Sequence, residues 1–141
     1  MGREENEAKK QYLRGYERAC RQQKRIEEEL EMIRNERILP GITADGMPHG
    51  SRSCNDLSEY MVRLDAIESE YIKAKAKLVE TRRMVMESIE ALRNENEKDV
   101  LKARYIDLLP WDAICKKMHY EWAHTHRIHA NALQHIKINK Q

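Results

Sequence analysis

The chain has 141 residues, of which 35% are charged, with a formal net charge of +2 and no Phe. A chain of this length and composition favours one domain, or a small domain with an extension, built on thin helical cores rather than a thick globular interior. No apolar run approaches the roughly 20 residues that span a bilayer, and the start of the chain shows no signal-like apolar stretch, so we expect no membrane partner.

A first long helix is predicted over residues 4–37. The segment contains no Pro, and a two-per-heptad seam steps along it by four and three residues. The seam positions are Tyr12, Tyr16, Ala19, Gln23, Ile26, Leu30, Ile33 and Arg37. A loop is predicted over 38–56, because Pro and Gly recur there and favour turns. Its motif Met47–Ser51 is interpreted either as a structural turn or as a contact for a polymerase or another partner.

A second long helix is predicted over residues 57–95. Its apolar stripe is Leu57, Met61, Leu64, Ile67, Tyr71, Ala74, Leu78, Val85, Ile89 and Leu92. The two helices are predicted to pack as an antiparallel hairpin, which makes residues 1–95 the first domain. Several apolar residues face away from a two-helix interface and would stay exposed in a monomer, so the sequence predicts a homodimer. They are Met61, Ile72, Val79, Met84 and Met86.

Three shorter helices are predicted in a second domain, residues 96–141. Asn96 can cap the first of them, and Pro110 ends it and opens the next, over 110–118. After a three-residue turn, the last helix runs over about 121–137. The fold class is therefore predicted as all-α: a long antiparallel helical hairpin followed by a C-terminal helix-turn-helix.

The C-terminal segment has the charge and layout of a DNA-binding unit. After residue 97 there are eight Lys and Arg against four Asp and Glu, which points to a polyanion partner. A helix-turn-helix frame starting at Trp111 places a small residue, Cys115, at the helix crossing. The frame predicts these inward positions: Ile114, Met118, Tyr120, Thr125 and Ile128. It predicts these base-facing positions on the second helix: Glu121, Trp122, Ala123, His126, Arg127 and Ala130.

Individual side chains of this unit have alternative interpretations. Lys116 and Lys117 fit phosphate contacts, and Arg127 fits bidentate bonding to guanine or a solvated cation. Trp122 fits contact with bases, sugars or a protein partner, or packing under Tyr120. Because the ordinary pKa of a His side chain is about 6.5, His126 is expected to strengthen DNA binding between roughly pH 7.5 and 6.

A second possibility for the His residues of this unit is a zinc site, but their spacing does not form the close Cys/His pairs of such a site. The candidate ligands are Cys115, His119, His124, His126, His129 and His135. We therefore expect no metal and no cofactor. No Gly-rich phosphate loop, nucleophile elbow or HExxH motif occurs, so the chain is predicted not to be an enzyme. Three widely spaced Cys residues fit reduced thiols in a cytoplasm.

Residues 101–133 resemble region four of bacterial sigma factors, matching at Arg104-Tyr105, Ile114-Cys115 and Ala132-Leu133. His119 stands where that family usually has Gly, and Thr125 stands where it has Val or Ile. Glu121 replaces the common Ser or Thr cap, and the last helix has one Arg where sigma factors often have several. The resemblance implies binding of double-stranded DNA and a contact with RNA polymerase.

The motif Met47–Ser51, followed by Asp56 and Leu64-Asp65, resembles small phage proteins of an uncharacterised-domain family. These are similar in layout to the phage late transcription regulators ArpU and RinA. The resemblance implies a phage- or prophage-encoded, sequence-specific transcription regulator in the bacterial host cytoplasm. The alternatives are a small terminase-like DNA-packaging protein and a coiled-coil protein-interaction scaffold.

Overall fold

In the computed structural model of the chain, residues 2–41 and 54–138 are described. The predicted all-α class is confirmed, because these residues form helices and include no strand. The elements are α1 (Arg3–Leu13), α2 (Gly15–Gly41), α3 (Cys54–Glu90), α4 (Glu95–Leu101), the π-helical segment Lys102–Ile106, α5 (Trp111–Met118) and α6 (Trp122–His135). Among these elements there is none with the length and apolar content needed to cross a membrane.

The first predicted helix, 4–37, is divided in the structure. Arg14 is a turn residue between α1 and α2, with φ −72° and ψ −6°, and its carbonyl accepts from the Arg18 N–H at 3.0 Å. A Cβ atom at Gly15 would lie 3.4 Å from Thr81 Cγ2, so α2 and α3 approach closely at this point. The break therefore lies where a residue without a side chain permits close packing.

Helices extend into both ends of the predicted loop 38–56. Helix α2 continues through Gly41, and α3 begins at Cys54. The motif Met47–Ser51 lies outside the described residues. Helix α3 ends at Glu90 rather than 95, because the chain turns there and Asn94 caps the next helix. The Asn94 side chain accepts from the N–H groups of Asn96 and Glu97, so Asn94, and not the predicted Asn96, is the cap of α4.

The chain divides into two compact units. The middle unit is Arg21–Lys77, and the terminal unit combines Met1–Cys20 with Leu78–Gln141. The predicted boundary at residue 95 lies inside the terminal unit. The division into a hairpin over 1–95 and a helix-turn-helix domain over 96–141 stays a prediction.

The middle unit consists of the predicted seams of α2 and α3. Ile26, Leu30 and Ile67 form its buried centre, with Ile33, Leu64, Tyr71 and Ala74 packed around them. Ion pairs at its surface join Arg34 to Glu68 at 3.3 Å and Arg63 to Glu36 at 3.2 Å. These pairings run in opposite directions along the two helices, so the helices are antiparallel within this unit, as predicted.

The terminal unit has a core that draws on distant parts of the chain. Leu13 of α1 and Val85 and Ile89 of α3 pack with Leu101, Tyr105, Ala132, Leu133 and Ile136. Burying apolar area of this kind is the main favourable term in folding. The C-terminal helices therefore complete their core with side chains from α1 and the end of α3.

Candidate nucleic-acid interface

The connection between α5 and α6 is a tight, fully hydrogen-bonded turn. His119 adopts a left-handed conformation, with φ 60° and ψ 37°. Its N–H donates to the Lys116 carbonyl at 3.4 Å, and the Tyr120 N–H donates to the Cys115 carbonyl at 3.2 Å. This pattern is a Schellman motif, which ends a helix with one left-handed residue, usually Gly. The turn leaves three residues between the two helices.

The inward face of the unit follows the predicted frame in most positions. Ile114, Thr125 and Ile128 are buried, whereas Met118 and Tyr120 are only half-buried. The Thr125 hydroxyl donates to the Glu121 carbonyl at 3.0 Å, which satisfies a polar atom inside the interface. Cys115 is half-buried on α5. The core positions of the two helices are thus set by the same spacing that the sequence displays.

The predicted base-facing residues lie on α6 and at the residue before it, and most of them are exposed. Five of them are exposed: Glu121, Trp122, Ala123, Arg127 and Ala130. Thr125, Ile128, His129, Ala132 and Leu133 occupy the buried side of α6. The first half of α6 therefore presents an open surface to solvent, while its other side is fixed in the core of the terminal unit.

Trp122 is the outermost member of a stack of rings. It is 61% exposed, and its indole centroid lies 3.8 Å from the imidazole centroid of His126. His126 also contacts Trp111 of α5, at 4.1 Å between ring centroids. The Arg104 guanidinium lies over the Trp111 ring at 4.8 Å, which is cation–π geometry. The stack links the π-helical segment to the exposed end of α6.

His126 lies inside this stack and not on the open surface of α6. Its ring is half-buried, and its Nε2 atom is buried without a hydrogen-bond partner among the described residues. Burial lowers the pKa of His126 below its usual range, and the Arg104 charge lowers it further. The increase in DNA binding expected from His126 is therefore displaced to lower pH than the predicted range of roughly 7.5 to 6.

Trp122 does not take the alternative position under Tyr120. The ring partner of Tyr120 is His124, which meets it edge-on at 4.6 Å. Trp122 instead keeps one face against His126 and the rest toward solvent. An indole fixed on one side and open on the other is suited to contact an apolar group of a ligand.

The two predicted phosphate-binding side chains lie in the last turn of α5 and are exposed. Lys117 Nζ lies 3.5 Å from Asp107 Oδ2, so this cation already has an acidic neighbour. Lys116 has no such ion pair among the described residues. Cations in the last turn also interact favourably with the helix dipole, which is their structural role in the absence of DNA.

Two further contacts hold α6 in place, and the sequence did not indicate either. The buried Lys9 of α1 donates from Nζ to the carbonyl of Leu133 at 2.8 Å and to that of Gln134 at 3.4 Å. These are carbonyls of the last turn of α6, which lack helical partners. Tyr105 Oη and His129 Nε2 share a buried hydrogen bond of 2.8 Å.

Arg104 has no predicted role beyond its place in the Arg-Tyr motif. In the structure its Nη1 donates to the Leu109 carbonyl at 3.1 Å, which holds the guanidinium over Trp111. Leu108, two residues after the π-helical segment, is left-handed with φ 57° and is exposed. The spacing of 104, 111 and 126 carries no periodic signal, so only the folded chain reveals this arrangement.

The candidate zinc ligands are not brought together. Across the two described ranges, no three His, Cys, Asp or Glu side chains lie close enough to hold a metal ion. Glu97 is buried and pairs with His135 Nδ1 at 2.9 Å. This pair joins α4 to the end of α6 and stabilises the fold.

A family model described as "Protein of unknown function (DUF1492)" matches residues 42–137. This match confirms the coarser part of the resemblance, an uncharacterised family covering most of the chain. The likeness to ArpU, to RinA and to sigma region four stays a prediction. Neither the curated proteins nor the solved structures include a match to this chain.

Proposed function

The chain belongs to this DUF1492 family, and we propose that it is a non-enzymatic protein that binds double-stranded DNA through α5 and α6. The observation that carries the proposal is the way in which the terminal unit holds α6. Most residues in its first half are exposed to solvent. Lys9 bonds a carbonyl of its last turn, Tyr105 bonds His129, and the ring stack holds Trp122 and His126. A rigid helix that offers its N-terminal residues to solvent after a tight turn fits the major groove of DNA.

The proposed contacts divide by chemistry. Lys116 and Lys117 bind phosphates and position the unit without reading sequence. Arg127 bonds the O6 and N7 atoms of guanine, and Glu121 accepts from the N4 amine of cytosine. Glu121 is the one acidic residue of the predicted set, so its contact must be to a base and not to the backbone.

The proposed role is sequence-specific transcription regulation by a phage or prophage in the bacterial host cytoplasm. A contact with RNA polymerase is part of this proposal, by resemblance to sigma region four. The excess of basic residues after residue 97 supports DNA as the partner. The test below separates this role from a packaging protein and from a protein-binding scaffold.

The proposed assembly is a homodimer. Of the residues predicted to remain exposed, Met61, Ile72 and Val79 are exposed, whereas Met84 and Met86 are half-buried. Further exposed apolar side chains of the middle unit are Met32, Leu57 and Val62. Exposed apolar side chains in this number are typical of a surface that is covered by another protein. The covering protein that we propose is a second copy of the chain.

The experiment selects duplexes that the full-length protein retains from a random-sequence pool and measures their affinity. Arg127→Ala should weaken the selected duplex by about 1–3 kcal/mol and leave random duplexes nearly unchanged. Arg25→Ala, at an exposed position of α2, is the matched control and should change neither affinity. Equal binding of both DNAs by the wild type and the Arg127 variant contradicts the proposal.

The oligomeric state in the same experiment separates the alternatives. A monomer or dimer that selects a common sequence supports transcription regulation. A closed ring of many copies that binds DNA without selecting a sequence supports packaging. If the protein binds no duplex DNA even at low salt, the protein-binding scaffold is the alternative that remains.

A further inference from the structure

We propose that the exposed face of Trp122 reads the 5-methyl group of thymine in the major groove. This inference rests on the proposed function, because it names the base that one part of the same surface recognises. It depends on three features of the structure: the exposure of the indole, the stack that holds it, and its place at the start of α6.

The stack makes Trp122 a rigid contact. Its indole contacts the imidazole of His126, which in turn contacts the indole of Trp111, with the rings tilted by 39° and 38°. The row ends at Arg104, itself held by the Leu109 carbonyl. A side chain held in this way has little rotamer freedom left to lose when it binds a ligand, so more of the contact energy contributes to affinity.

The position of Trp122 decides what it can touch. It is the first residue of α6, between the exposed Glu121 and Ala123. The N-terminal residues of a helix that enters the major groove meet the edges of paired bases. Among those edges, the thymine methyl is the apolar group, and the other groups donate or accept hydrogen bonds. The carbon face of an indole therefore matches thymine.

The charges nearby are consistent with a DNA ligand. Arg127 is exposed further along α6, and Lys116 is exposed at the end of α5. Stacking of an unpaired base on Trp122 is the competing arrangement, since aromatic side chains bind single strands in this way. An intact duplex is favoured because Trp122 begins the helix whose N-terminal residues, in the proposed function, meet the edges of paired bases in the major groove.

The experiment replaces thymidine by deoxyuridine, one position at a time, in a duplex that the full-length protein has selected from a random pool. The substitution removes only the methyl group. At the contacted position the wild type should lose about four-fold in affinity, the effect expected for one buried carbon group. Trp122→Ala should bind the thymidine and deoxyuridine duplexes equally.

Two neighbouring variants control for the stack and for folding. His124→Ala removes an exposed ring from the same turn of α6 and should keep the wild-type response to deoxyuridine. His126→Ala should reduce that response, and His126→Phe should restore it, because a phenyl ring can stack in place of the imidazole. Helical content and melting temperature, measured for every variant, identify those that fail to fold.

The outcomes separate this inference from the proposed function. If no duplex is bound, both fail. If a duplex is bound but no thymidine position responds, or Trp122→Ala responds as the wild type does, only the thymine inference fails. It also fails if Trp122→Ala weakens single-stranded DNA alone, since that result indicates base stacking.

Discussion

His129 is buried at the centre of the terminal unit, where Tyr105 bonds its Nε2 atom and Trp111 meets its ring edge-on at 4.9 Å. Burial lowers its pKa to about 4, helped by the charges of Lys10, Arg104 and Arg14. The folded protein therefore stabilises the neutral form of this imidazole over the charged form. The same burial raises the pKa of the Tyr105 hydroxyl.

This low pKa predicts acid sensitivity at the scale of one residue. In the unfolded chain the imidazole takes up a proton near pH 6.5, whereas in the folded chain it does so only near pH 4. The contribution of His129 to the free energy of unfolding is therefore fully present above pH 6.5 and is lost as the pH drops toward 4. Between pH 7 and 5 the free energy of unfolding should fall by about 2 kcal/mol from this group alone.

Urea denaturation at a series of pH values measures the slope. His129→Gln should be less stable at pH 7 but should lose much of the pH dependence between pH 7 and 5. His124→Gln, at an exposed position, should keep the wild-type slope. If His129→Gln and the wild type show the same slope, His129 is not the group responsible.

At the scale of elements, the turn between α5 and α6 contains a residue in an unfavourable conformation. His119 occupies the left-handed position of the Schellman motif, where Gly carries no steric penalty. A non-Gly residue in this region costs roughly 1–2 kcal/mol. Gly costs about 0.5–1 kcal/mol through the greater freedom of the unfolded chain.

His119→Gly should therefore raise the free energy of unfolding by about 0.5–1 kcal/mol, the difference of these two costs. Thermal or chemical denaturation measures it. His124→Gly, placed inside the helical part of α6, is the matched control and should destabilise the chain. A lower stability of His119→Gly would show that the imidazole makes a contact worth more than the strain.

The helices themselves were largely predictable from the sequence. The seam of α2 and the buried side of α6 follow heptad and helical spacing, and Thr125, Ile128 and Leu133 are buried as that spacing predicts. The stack from Arg104 to Trp122 was not predictable, because it joins one guanidinium and three rings from three elements at unrelated spacings. The end of α3 and the π-helical segment depend on tertiary packing in the same way.

At the scale of the whole molecule, the terminal unit depends on contacts between the two ends of the chain. Lys9 and the last turn of α6 are 124 residues apart in sequence at their shortest hydrogen bond. The Lys9 ammonium is also 3.8 Å from Glu5 Oε1. The buried Lys9 ammonium therefore stabilises the C-terminal end of α6 and the packing of α1 against it.

Lys9→Met keeps most of the side-chain volume and removes the ammonium group. It should lower the free energy of unfolding by about 1–3 kcal/mol, since the Leu133 carbonyl loses a charged donor in a buried site. Lys10→Met removes a more exposed cation paired with Glu7 and should cost less than about 1 kcal/mol. If the two variants lose the same free energy of unfolding, the effect of Lys9→Met comes from the loss of a positive charge and not from the hydrogen bonds to α6.

The proposed dimer is tested by light scattering of the full-length chain. We expect twice the chain mass of 16.8 kDa at micromolar concentration. Ile72 is 67% exposed, so Ile72→Lys should return the protein to a monomer with little loss of helical content if the dimer covers that residue. A monomer mass for the wild type in the same range contradicts the dimer.

The central claim is that α5 and α6 bind double-stranded DNA, and the salt dependence of binding tests it most directly. Duplex affinity of the full-length protein is measured at several salt concentrations for the wild type, Lys116→Ala and Lys73→Ala, an exposed control on α3. Lys116→Ala should lower the magnitude of the log–log salt slope by about 1, because one phosphate contact is lost, while Lys73→Ala keeps the wild-type slope. Identical slopes and affinities for all three proteins would contradict the claim.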